Sequence, residues 1–411
     1  MSFSGIRKKF YLPGDAWILA LSAAIWSIGG SMVNPYQSVF FFAVGADSLF
    51  IGYLLAMGSA VTALMQLVGG YVADAWGRRK VIIVFSFISA TSAFAYIFIE
   101  QYQLLVLPVM LASIAGVYGP AFNAMLNDSM QPELRPRGIV SFTLVTSLPS
   151  MFCPYVGGML MHRLGTLRGL RLAYFMSGLF GLIGVSYRAW KLKEWTYPRS
   201  KTGKTKVLFR FVSELIKDNV YALKHASNGA KNLLIYSVMI SVGTGMTVPY
   251  TSLYVVRVLG LQPDLYGLLT NVAGLISVML LLLATRIVEK VGLRRSAIYA
   301  SLSVPLNQLI FVRAKGMNDL VTWSVVGGAS AALLGPSLTA LQADLSPREM
   351  RGRMMAMFSV LPLITAIPAQ ILGGYLYNSL GPLTPFLAST PAFILATLVL
   401  RRIRETDVSN S

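Results

Sequence analysis

The chain is short of charge. Only 12% of its 411 residues are Asp, Glu, Lys or Arg, half of the roughly 25% with which a soluble domain solvates its surface. That shortage excludes an ordinary water-soluble enzyme. Cysteine occurs once, at Cys153, so no disulfide framework is possible. Two histidines are too few for a His-based metal site, and neither a metal nor another cofactor is expected. Carboxylates are missing from the middle of every apolar run, all 16 falling outside the runs or at their ends. HExxH, G-x-S-x-G and a P-loop lysine are absent as well, and no acid pair at helical spacing lies inside a span. The intramembrane enzyme classes that need those groups are thereby excluded.

Apolar residues make up 55% of the chain, with mean hydropathy +0.63. Runs free of charge cover 16–46, 48–73, 81–99, 101–127, 138–162 and 172–187, then 232–256, 265–285, 296–312, 320–343 and 354–400. A bilayer core takes roughly 20 residues of helix. The last run therefore holds two spans, divided at Asn378-Ser379-Leu380-Gly381-Pro382, where Gly and Pro end helices. Barrel strands would alternate in units of about 10 residues. The unbroken runs instead predict an all-α integral membrane protein with twelve transmembrane helices.

With the N-terminus in the cytoplasm, 29 of the 35 Lys and Arg fall on the inner side and six, Arg163, Arg168, Arg171, Arg257, Arg313 and Lys315, on the outer. This positive-inside bias predicts a multi-pass plasma-membrane protein with both termini cytoplasmic. It accounts for the net charge of +19 without a nucleic-acid partner, because the excess forms no patch. It also predicts attraction of the inner face to anionic lipid. The first span has no small-residue cleavage site and is too long for a signal-peptide core, so it is expected to be retained. Three regions follow: a six-helix bundle over 1–187, a cytoplasmic linker over 188–231, and a second six-helix bundle with a short tail over 232–411. Within the linker, Leu208, Val212, Leu215, Val220 and Leu223 share one helical face and Arg210, Glu214, Lys217 and Lys224 another. That pattern predicts an interfacial amphipathic helix tethering the halves.

The two halves repeat at about 215 residues. Asn34-Pro35-Tyr36 returns as Val248-Pro249-Tyr250, and Gly52 as Gly267. Asp74 through Arg79 returns as Glu289 through Arg295, with acid and glycine kept. Gly119-Pro120, Asp128, Arg135 and Arg137 return as Gly335-Pro336, Asp344, Arg351 and Arg353, and Gly157-Gly158 as Gly373-Gly374. Ordered matches with so little drift predict two pseudo-symmetric six-helix bundles, parallel repeats about an axis along the membrane normal.

The stretch Gly70-Tyr71-Val72-Ala73-Asp74-Ala75-Trp76-Gly77-Arg78-Arg79-Lys80 resembles the signature loop of the major facilitator superfamily, G-x-x-x-D-x-x-G-R-[RK]-[RK], and a degenerate copy stands at 285–295. The resemblance covers nearly the whole chain and implies a secondary transporter working by alternating access. It implies that Asp74 and Arg78 belong to a charge cluster closing the inner side. Asp128 with Arg137, and Glu289 and Arg294 with Asp344 and Arg353, are placed to extend it. Gly77 suits the sharp turn and Gly70 close helix packing. By the same resemblance spans 1, 4, 7 and 10 line the substrate cavity. Asn34, Tyr36 and Gln37, then Asn123, then Thr247 and Tyr250 are the polar candidates there, with Gln370 in span 11 and Gln66 and Asn271 in spans 2 and 8. Each either bonds a neighbouring helix or meets the cavity, and both readings stay open. Asn34 and Tyr36 stand out because Pro35 removes a backbone hydrogen bond beside them.

Membrane proton relays use an intramembrane Asp, Glu or His, and His162 at the outer end of span 5 is expected to be structural. Drug–proton antiporters of the superfamily carry an arginine in span 4 where this chain has Ala112. Of their span 5 signature only Pro154-Tyr155-Val156-Gly157-Gly158 survives. The expected function is transport of a small-molecule substrate, with efflux of a neutral or amphipathic compound first. Import or facilitation of a polar metabolite such as a sugar comes second, and a non-transporting membrane sensor is a remote third. A proton or other ion is a possible coupling partner, and a monomer can hold the whole pathway.

Overall fold

The structure is a computed structural model that describes residues 11–193, 226–346 and 351–403. Its regular structure, among the described residues, is helical throughout, as lipid demands of backbone that has no water to bond. Twelve principal helices follow one another: α1 (Gly14–Ala43), α2 (Ser48–Trp76), α3 (Arg78–Phe98), α4 (Tyr102–Asp128), α5 (Arg137–Leu164) and α6 (Thr166–Lys191), then α7 (Asn228–Val258), α8 (Pro263–Val291), α9 (Leu293–Arg313), α10 (Met317–Asp344), α11 (Arg351–Ser379) and α12 (Thr384–Arg401). Eleven are long and apolar enough to cross a bilayer. The exception is α9, which opens on Arg294 and Arg295 and carries Asn307 and Gln308.

Prolines shape the helices unequally. Around Pro35, α1 tightens into a 3-10 turn at Asn34–Tyr36, whereas α7 stays α-helical through Pro249 and loosens into a π turn only at Tyr254–Val258. The helix of α5 stops at Ser150 and restarts at Cys153. In α6 the helix runs on to Lys191, so Arg188 is a helical residue rather than part of the linker. The amphipathic helix expected between Leu208 and Leu223 lies outside the described residues.

The chain forms two compact units. One comprises residues 1–46, 60–201 and 261–271, the other 47–59, 202–260 and 272–411. The start of α2 therefore belongs with the second half, and the start of α8 with the first. Each unit has its own core, around Leu12, Trp17, Leu19, Ile82, Val117 and Met125 in the first and Leu233, Tyr236, Leu341, Met354, Phe358 and Leu400 in the second. In lipid such packing rests on close van der Waals contact, which the small residues permit: Gly29 faces the backbone of Ser177, and Gly184 that of Ser22. The repeat extends to backbone conformation. Gly77 (φ 92°) and Gly292 (φ 90°) open α3 and α9 in the left-handed region that favours glycine. Gly45 with Gly260, and Gly165 with Gly381, recur at turns in the same register.

Candidate functional site

At the helix ends remote from its own Gly77 or Gly292 turn, each unit contains the same small assembly. In the first, Tyr36 of α1 is wholly buried, and its phenol donates to the carbonyls of Pro154 on α5 (2.8 Å) and Pro263 at the start of α8 (2.9 Å). Gly158 lies against the backbone of Pro263 and Asp264, and Gly267 against Pro154 and the Tyr36 hydroxyl, with no room for a Cβ at either. In the second, Tyr250 of α7 is equally buried and donates to Gln370 on α11 (2.9 Å) and, at 3.4 Å, to Ser48 at the start of α2. Gly374 lies against Ser48 and Leu49, and Gly52 against Gln370 and the Tyr250 hydroxyl. Every member of one clamp has its repeat mate in the other. A tyrosine spans two carbonyls, and paired glycines let three helices meet closely.

For Tyr36 and Tyr250, of the two readings left open, the bond to neighbouring helices is the one present in this conformation. Tyr36 and Tyr250 turn away from open space in this conformation, because a buried hydroxyl needs a partner and each finds two. Thr247 is also buried and bonds its own helix at Gly243 (2.9 Å). Gln37 faces the hydroxyl of Tyr96, and the Gln370 amide meets Ser59 at 3.1 Å. Asn34 and Asn123 differ from these: both are exposed, on α1 and α4 of the first unit, and neither side chain hydrogen-bonds another described residue. An amide so placed within a membrane-length helix needs water or a ligand.

At the other helix ends the charges regroup. Arg78 pairs with Asp128 at 2.5 Å, and Arg137 lies over the Tyr11 ring at 5.6 Å. Asp74 is exposed and makes no ion pair among the described residues, leaving Arg78 to Asp128. Arg79 caps the end of α6 through the carbonyls of Ala189 and Leu192, both at 2.7 Å. Gly70 is exposed with free space around it, so the close helix contact expected there is absent. Arg294 donates to the carbonyl of Arg401 at 3.2 Å, and both Arg294 and Asp344 are engaged. The side chains of Glu289 and Arg353 lie outside the described residues.

Two features escaped the sequence reading. Arg188 is 3% exposed, donates to the hydroxyls of Ser22 and Ser86 at 2.8 Å each, and lies 5.2 Å from the Phe122 ring and 5.8 Å from the Trp26 ring. It sits just past the charge-free run that ended at 187, which hid it in the linker; its period from Gly181 and Gly184 was the available signal. His162 Nδ1 stands 3.3 Å from Asp264 Oδ1, a pairing across about a hundred residues that no local spacing reveals.

The fold and its doubled clamp define a multi-pass helical membrane protein built on a repeated six-helix plan. The sequence profile of the Major Facilitator Superfamily matches residues 19–312 and 233–411, and the chain belongs to that family of secondary transporters, which are not enzymes. It is 21% identical over 369 residues to the multi-drug resistance efflux pump PmrA of Streptococcus pneumoniae, covering 88% of each chain. Among solved structures it resembles the peptide transporter POT, with a TM-score of 0.75 at 15% identity over 100% of this chain and 99% of that one. It also resembles a D-xylose-proton symporter, with a TM-score of 0.71 at 16% identity over 98% and 100%. These likenesses share the fold while their cargoes differ.

Proposed function

We propose that the protein moves a small organic solute by alternating access, and that its principal activity is export of a neutral or amphipathic compound. The observation that carries this reading is the doubled clamp. Each copy ties the start of one helix to two others through one phenol and a few glycine contacts, a joint small enough to open and remake. Asp74, Arg78, Asp128, Arg294 and Asp344 act as the gate at the other helix ends, with Glu289 and Arg353 completing it. The excess of Lys and Arg at those ends supports a cytoplasmic setting for them, beside anionic lipid. Export is supported by the distant likeness to an efflux pump and by the lack of an acid at mid-span to attract a cation.

The test is dye extrusion from energised everted vesicles. Extrusion that collapses with an imposed proton gradient supports driven export; none across several dyes removes it. The exposed amides of Asn34 and Asn123 favour a second reading, a polar metabolite bound through its hydroxyls. Thermal-shift screening with neutral polyols and sugars tests that one, and loss of the shift in Asn34→Ala is the expected result.

A further inference from the structure

The two clamps differ in one respect. Tyr36 matches Tyr250, Gly158 matches Gly374, Gly267 matches Gly52, and Pro263 matches Ser48, contact for contact. Beside the first clamp stands the His162–Asp264 pair; the corresponding positions of the second hold Asn378 and Leu49. A group needed merely to build the clamp would recur in both copies. This one does not.

Its geometry is that of a charge contact. His162 Nδ1 is 3.3 Å from Asp264 Oδ1, yet that oxygen is buried and accepts no hydrogen bond among the described residues. The attraction between the two side chains therefore depends on charge, which the imidazolium supplies on the His162 side. Asp264 follows Pro263, the carbonyl that Tyr36 grips, and its backbone rests on Gly158, so the clamp itself delivers the carboxylate to α5. The His162 side chain is 43% exposed, open to protons from solvent. The other groups facing the pair are phenols, Tyr36 from α1 and Tyr266 from α8, whose rings meet at 5.7 Å, and phenols stay neutral where histidine titrates. Arg163 on α5 and Arg168 on α6 are exposed cations near the same turn of chain.

We propose that His162 and Asp264 form a proton-binding site that latches the start of α8 to α5. Acid favours the joined state, because the imidazolium attracts the carboxylate. Loss of the imidazolium proton leaves the buried carboxylate oxygen without this charged partner and favours parting. Within the alternating-access reading, on which this consequence alone rests, the site couples protons to the cycle with no carboxylate at mid-span.

The single cysteine supplies the test on the full-length protein. Cys153 is buried and precedes Pro154, so it reports parting of this joint through its rate of labelling by a maleimide. Dividing each variant's rate by that of the wild type at the same pH cancels the ionisation of the thiol. For His162→Gln the ratio is expected to be about five at pH ~6 and near one at pH ~8. For His162→Lys, which keeps its charge, it is near one in acid and below one in base. A His162→Gln ratio near one at both pH values overturns the proposal. A ratio raised equally at both reports a disturbed fold, and His162→Lys then decides: labelling in base as fast as the wild type overturns the latch. No substrate is needed, so a failed export assay leaves this test standing, and a failed latch leaves the transport reading intact.

Discussion

Arg188 is held in the first unit by two serine hydroxyls and two aromatic faces. A buried guanidinium survives only while its donors are met, so the serines matter more to the arginine than it does to them. Ser22 illustrates this, since its hydroxyl also donates to the carbonyl of Leu19 at 2.9 Å. Ser22→Ala with Ser86→Ala is expected to destabilise the protein by about 2–3 kcal/mol, read as denaturant unfolding in detergent. Arg188→Met is expected to change stability by less than about 1.5 kcal/mol, because an apolar chain of similar length fills the site. In the Arg188→Met background the two serine substitutions should then become nearly neutral; a full loss there would show that the serines act independently of the arginine. The phenol of Tyr36 is a second residue of this kind. Tyr36→Phe keeps the ring and deprives two carbonyls of their donor, at about 1–2 kcal/mol, and faster maleimide labelling of Cys153 is the expected result.

At the scale of elements, the glycines of the clamp set how closely helices meet. A Cβ at Gly158 would meet the backbone of Pro263 and Asp264, whereas one at Gly119 would meet nothing within 4 Å. Gly158→Ala should therefore part α8 from α5 and lower the thermal midpoint. Gly119→Ala should leave the midpoint unchanged or raise it, as alanine favours helix by about 1 kcal/mol over glycine. Equal midpoints for the two variants would show that the joint tolerates a methyl group. These positions also mark what sequence reasoning can reach. Helix number and the repeat were legible because apolar runs and glycine spacing are periodic along the chain. Gly158, Gly374, Tyr36 and Tyr250 were all visible as repeat mates. Their role was not, because the groups they meet are backbone carbonyls, which carry no mark in the sequence. For the same reason Tyr36 stayed open between a helix bond and a cavity contact until its partners Pro154 and Pro263 were seen. Arg188 was misplaced because a run ends at its first charge, whereas a helix ends at its last hydrogen bond, here at Lys191.

For the molecule as a whole, the separation of stability from turnover is the property that alternating access requires. Asp74 and Asp128 allow it to be measured, since they lie near the same helix ends in different states. Asp128 is paired with Arg78 and Asp74 is exposed. Asp128→Asn removes half of a partly buried ion pair and should lower stability by about 1 kcal/mol, at the upper end for exposed pairs. Asp74→Asn removes nothing that this conformation uses, so its unfolding midpoint should match the wild type to within about 0.5 kcal/mol. If Asp74 takes a partner only in the alternative conformation, its loss destabilises that conformation alone. Turnover should fall while folding and membrane insertion are kept, because a cycle is limited by its least accessible state. Export by Asp74→Asn at the wild-type rate, with stability unchanged, would remove this carboxylate from the cycle and leave Arg78 and Asp128 as the functional part of the signature loop.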